Sequence, residues 1–120
     1  MQINKKATRL GIVALLALSS TSALASLRLA SDQRMQGDAR TYNRSEENLG
    51  GFGDEASSVQ NTDRSRAWVL YDDKDYGDRR FCIRPNQTIN NLHSAQWRFG
   101  DKISSVRRLG TSSCRGYPTF

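Results

Sequence analysis

Histidine occurs once in the 120 residues, at position 93, and cysteine twice, at positions 82 and 114. One histidine is too few for the usual zinc sets, and the two cysteines lack the Cys-x-x-Cys spacing of a redox or metal pair. The chain has no Gly-x-Ser-x-Gly or metalloprotease signature, so no nucleophile–base pair is visible. Its shortness argues against a carboxylate-pair glycosidase. Together these absences point to a protein that is not an enzyme. Long apolar runs are missing too. The one continuous run, Leu10 to Leu18, falls well short of the roughly 20 residues that a bilayer core requires. No cysteine follows it closely enough to carry a lipid anchor.

What is present at the start decides the compartment. Lys5, Lys6 and Arg9 lead into the apolar run, and Ala23-Leu24-Ala25 closes a short polar stretch behind it. Basic start, apolar centre and small-residue end make a secretory signal over residues 1–25, with cleavage after Ala25. The mature chain, 26–120, is then secreted or periplasmic, without a membrane anchor, and long enough for one domain. Three of the 18 basic residues and none of the 12 acidic ones leave with the signal, so 15 against 12 remain and the mature charge is +3. At that balance Arg79-Arg80 and Arg107-Arg108 read as solvated surface, and no nucleic-acid partner is expected. In an oxidising compartment Cys82 and Cys114 most simply form a disulfide.

The second half reads as β structure. Ala67 to Tyr71 and Arg80 to Arg84 are strands by aromatic and β-branched content, separated by the turn-rich Asp72 to Asp78. Ile89 to His93 suits a short helical turn, and Ile103 to Leu109 is a further strand. Short strands between turn signals predict an all-β sandwich. Residues 26–66 are poor in large apolar side chains, and their composition alone is that of a linker. One feature argues otherwise: Phe52-Gly-Asp-Glu-Ala-Ser-Ser-Val59 recurs as Phe99-Gly-Asp-Lys-Ile-Ser-Ser-Val106. That repeat predicts two copies of one supersecondary unit.

These residues resemble the βγ-crystallin-like proteins, whose domain is a sandwich of two Greek-key motifs. Tyr71 and Tyr76 match the two aromatics of the family's folded hairpin, and Asp101, Ser104 and Ser105 match its closing loop. In the first copy Met35 and Gly37 match the later aromatic position and the glycine, and Asp54, Ser57 and Ser58 match the closing loop. Two positions depart: Asp78 stands where the second hairpin's glycine belongs, and Ala30 replaces the opening aromatic of the first. The resemblance implies a weak first Greek key over 26–66, a second over 67–110 and a tail over 111–120.

It also implies calcium at the closing loops. Ser104, Asp101 and the Lys102 carbonyl would serve one site, and Ser57, Asp54 and the Glu55 carbonyl the other. Such hard oxygen donors suit the ion. Against this, Gly53 and Gly100 replace the first carboxylate or amide of each loop, and Lys102 adds a positive charge. In the alternative reading Ser57 and Ser104 only cap turns. Tyr71, Tyr76, Trp68, Trp97 and Phe99 read as core and lids rather than as a contact surface, and His93 as a surface loop residue. Two functions fit: a structural or stress-related exported protein, weakly calcium-binding, or an inhibitor of secreted metalloproteinases like the crystallin-like bacterial inhibitors. The second would present Asn86 to Gln96 or Thr111 to Phe120 to its target. The oligomeric state is not legible from the sequence.

Overall fold

The computed structural model describes residues 25–120; apart from Ala25, the expected signal sequence lies outside them. Among the described residues seven strands form two antiparallel sheets: β1 (Leu27–Ala30), β2 (Ala39–Tyr42), β3 (Ser58–Asn61), β4 (Trp68–Asp73), β5 (Gly77–Ile83), β6 (Thr88–Ile89) and β7 (Ser105–Arg108). The first sheet has the order β2-β1-β3-β6 and the second β5-β4-β7.

The connectivity crosses between the halves. β6 belongs to the second half by sequence, yet Val59 pairs with Ile89 and places it in the first sheet. Reciprocally, Glu46 of the first half pairs with Val106 of β7 through hydrogen bonds of 2.8 and 2.9 Å. Each half thus lends its third extended segment to the other's sheet, which is a pair of interlocked Greek keys. Residues 26–66, linker-like by composition, are therefore sheet. β1 buries Leu27 and Leu29 completely, and exchanged segments supply the rest of the apolar cover.

Strand periodicity explains the core. In β4, Trp68 and Leu70 point between the sheets, where they meet Leu27, Leu29, Val59, Ile83 and Phe99. Val69 and Tyr71 point to the opposite face and pack with Ala67, Cys82 and Cys114. A sheet covered on both faces needs an unbroken apolar strand, which is what Trp68 to Tyr71 provides. The outer cover is the tail. Cys82 and Cys114 are disulfide-bonded, and Pro118 and Phe120 hydrogen-bond the Cys82 backbone, so the tail runs parallel to β5 and closes its edge.

Two local expectations change. The helical turn expected over Ile89 to His93 is shorter and later: Ile89 ends β6, the Leu92 amide donates to Ser57 O at 2.8 Å, and a single turn is closed by the Ser94 amide on Asn91 O. The last strand begins at Ser105 rather than Ile103, because the Ile103 carbonyl accepts from Asp54 N and the Ser104 amide donates to Tyr71 O.

The junction between the keys is fixed by side chains. Asn61 Nδ2 donates to the carbonyls of Arg66 and Arg84. The buried Asp63 carboxylate accepts from the amides of Ser65 and Arg66 and from Arg108 Nε at 2.9 Å. Burial alone would raise the Asp63 carboxyl, but these donors outweigh it and hold it below its ordinary value.

Candidate functional site

Each Greek key begins with a folded hairpin, and both hairpins are latched in one way. Ser58 Oγ donates to Asp32 O at 2.6 Å and accepts from Met35 N at 2.9 Å. Ser105 Oγ donates to Asp73 O at 2.6 Å and accepts from Tyr76 N at 3.0 Å. Between those anchors the chain turns through two left-handed residues, Arg34 and Met35 in the first key and Asp75 and Tyr76 in the second. Three residues after each pair's first member, Gly37 (φ +79°) and Asp78 (φ +64°) are left-handed as well. Gly37 is needed for space too, since a Cβ there would overlap Ser31 and Asp32.

The same latch places the closing loops. Directly before Ser58 and Ser105 stand Ser57 and Ser104, each 7% exposed. The loops cross: Asp54 N donates to Ile103 O at 3.0 Å, and Asp101 N donates to Ala56 O at 2.8 Å. Each aspartate therefore reaches the opposite key. Asp54 Oδ1 lies 2.8 Å from Ser104 Oγ, which is also 3.1 Å from the Lys102 carbonyl. Three oxygens converge there, from both halves of the chain. At the twin crossing Ser57 Oγ shares a 2.8 Å hydrogen bond with His93 Nε2, and that nitrogen stands 3.9 Å from Asp101 Oδ1.

Charges of both signs stand near the Ser104 crossing. Burial, and next the Asp78 carboxylate, push Asp72 above its ordinary value; Arg79 and Lys102 pull it back, and Asp54 adds to the push. Among the described residues no three histidine, cysteine or carboxylate side chains gather tightly enough to hold a metal by themselves. A cation here would have to be held by the mixed set of one carboxylate, one hydroxyl and one carbonyl.

No protein-family model matches the sequence, and no curated protein does. The architecture does have counterparts among solved structures. One from work on the evolution of the eye-lens βγ-crystallin domain fold superposes with a TM-score of 0.63 at 19% identity, over 78% of this chain and 93% of its own. A βγ-crystallin from an archaeon gives 0.61 at 20% identity, over 72% and 100%. A βγ-crystallin domain from Flavobacterium johnsoniae gives 0.58 at 24% identity, over 71% and 97%. The chain has the βγ-crystallin fold.

Within that fold the grouping of candidate ligands needs correction. Ser104 was expected with Asp101, and Ser57 with Asp54. The crossing of the loops exchanges the aspartates, so Asp54 serves Ser104 and Asp101 faces Ser57. The Lys102 carbonyl lies 3.1 Å from Ser104 Oγ, while the Glu55 side chain is exposed. His93 is exposed on a surface loop, as expected, and from there its Nε2 reaches Ser57 Oγ at 2.8 Å.

The aromatic residues are largely interior, as crystallin-fold lids and core. Trp68 and Phe99 are fully buried, Tyr71 is 2% exposed, and Tyr76 packs edge-on to it at 5.5 Å. The arginine pairs have internal partners. Arg79 donates to the carbonyls of Trp97 and Arg98 and lies 4.9 Å over Phe99, Arg80 lies over Tyr71, and Arg107 lies 4.2 Å over Tyr76. The second serines of the repeat, Ser58 and Ser105, were legible as part of the closing motif. Their latching role was not, because it depends on residues about 30 positions upstream in the chain.

Proposed function

We propose that the mature chain is an exported, non-enzymatic βγ-crystallin-like protein with a structural or stress-protective role, binding calcium weakly at the Ser104 crossing. The observation that carries the reading is the convergence of Asp54 Oδ1, Ser104 Oγ and the Lys102 carbonyl from two interlocked keys. Calcium prefers such hard oxygens and completes its shell with water. An ion there would tie the first key to the second, adding to the exchange of strands. A single close carboxylate and the nearby Lys102 charge place the affinity in the weak class of extracellular modules, about 10⁻⁴–10⁻³ M.

The other reading, inhibition of a secreted metalloproteinase, requires a loop that projects. Both candidate loops are tethered. Thr111 to Phe120 is held by Cys114 and by the β5 edge, and Asn86 to Gln96 is held by β6 and by Leu92.

The test is thermal unfolding at rising calcium. A ligand of the folded state must raise Tm as its concentration passes Kd. The expected outcome is a rise in millimolar calcium that magnesium does not reproduce and that Ser104→Ala abolishes. A flat Tm would overturn the calcium reading. Inhibition of a secreted metalloproteinase at micromolar protein would move the function to the second class.

A further inference from the structure

The two loop crossings share a backbone plan and differ at one flank. The Leu49 amide donates to Ser104 O at 3.0 Å, and the Leu92 amide donates to Ser57 O at 2.8 Å. The residue after each leucine therefore stands beside a crossing: Gly50 beside Ser104, and His93 beside Ser57. An added Cβ at Gly50 would meet nothing within 4 Å, so that flank is open. At the other crossing the imidazole occupies the flank.

How it does so is specific. At the Ser104 crossing the hydroxyl and the opposite aspartate meet directly, at 2.8 Å. At the Ser57 crossing the ring is inserted between the same two groups, with Nε2 2.8 Å from Ser57 Oγ and 3.9 Å from Asp101 Oδ1. Gly100 makes this possible, because a Cβ at that position would overlap the ring. The glycine that removes an oxygen ligand from the closing motif is also the residue that admits the histidine. The loop fixes the His93 backbone as well: the His93 amide donates to Asn91 Oδ1 at 2.9 Å.

We propose that His93 is a built-in occupant of the Ser57 crossing, its imidazole standing between Ser57 and Asp101 where a cation would otherwise bridge them. One of two equivalent cation sites is thereby closed by the chain itself, and the protein binds calcium at a single site, the Ser104 crossing. The ring excludes the ion rather than joining it, because calcium takes oxygen ligands and imidazole suits softer metals. His93 and Gly100 are thus the pair that sets the stoichiometry. The inference rests on the calcium reading of the Ser104 crossing, and its test separates the two.

The test has a metal-free arm and a calcium arm, both on the mature chain. Because the chain has a single histidine, its ring nitrogen resonances are unambiguous. In calcium-free protein Ser57→Ala should shift them and Ser104→Ala should not. Ring signals indifferent to Ser57→Ala would overturn the proposal. In the calcium arm, the number of ions bound at saturation should be one for the native chain and two for His93→Ala. It should also be two for Gly100→Ala, whose new methyl expels the ring. Two ions on the native chain, or an unchanged single ion in both variants, would overturn it. No ion on the native chain with one on His93→Ala would refute the calcium reading of the Ser104 crossing while sustaining the plug. No ion on any of the three would refute the plug as well.

Discussion

The two Greek keys follow one backbone plan and differ in what surrounds it. In the second key an edge-on tyrosine pair, an arginine over Tyr76 and a disulfide-bonded tail cover the folded hairpin. In the first, Ala30 and Met35 take the places of those tyrosines, and among the described residues no disulfide-bonded tail covers them. Both hairpins nevertheless turn through the same two left-handed residues and hang from the same serine. The latch and the left-handed turn therefore define the motif, and the aromatic corner is an addition to it. The strand exchange explains why the plainer key persists: it cannot leave without removing Glu46 from one sheet and losing β6 from the other.

The largest expected effect comes from the element that only the second key possesses. Reducing the Cys82–Cys114 bridge releases a constraint on 32 residues of chain and should cost about 3–4 kcal/mol. In a domain of this size that lowers Tm by roughly 15–30 °C. Calorimetry with and without reductant checks the figure, and the transition should stay single because the keys are interlocked. Two separated transitions would break the comparison by making the keys independent.

The next effect tests whether the latches are equivalent. Ser58→Ala and Ser105→Ala each remove two part-buried hydrogen bonds, one to a carbonyl and one from an amide, which should cost about 2 kcal/mol in either key. Urea unfolding of both variants measures this. A cost confined to Ser105→Ala would mean that the tyrosine corner, not the serine, organises the hairpin.

A smaller effect concerns the junction. The folded-state carboxyl of Asp63 is depressed, so its stabilisation is present above the unfolded value of 3.8 and is lost as pH falls through the lower folded value. Asp63→Asn should cost roughly 1.5 kcal/mol at neutral pH and flatten the acid limb of the stability profile below about pH 4. Thermal unfolding across acid pH reads both. The smallest effect is a gain. Asp78 stands at φ +64° where the first key has Gly37, and Asp78→Gly should stabilise by about 0.5–1 kcal/mol, the relief of strain exceeding the added unfolded-chain entropy. A loss of stability in that variant would show that the Asp78 side chain has a role of its own.

Much of this was legible before folding was considered. The repeat announced two units because both copies must present the same serine pair to the same kind of hairpin, and the two cysteines announced the bridge through the expectation of export. What escaped was everything that depends on crossing. No local signal in 26–66 shows that its third segment joins the other sheet, so its composition read as a linker. The closing loops read as self-contained for the same reason, and the aspartates were assigned to their own serines. His93 was invisible as a site residue because its partners, Ser57 and Asp101, come from two different loops. Glycine at position 100 was a signal in plain sight. It read as a missing ligand, whereas it is the space that the imidazole fills.

The difference between the two crossings is where the account is most exposed. An amide-resolved calcium titration of residues 26–120 tests it directly. Saturating shifts should appear at Asp54, Lys102 and Ser104, while Ser57, His93 and Asp101 stay in place. Equal or stronger shifts at Ser57 and Asp101, with the histidine signals moving in step, would contradict it.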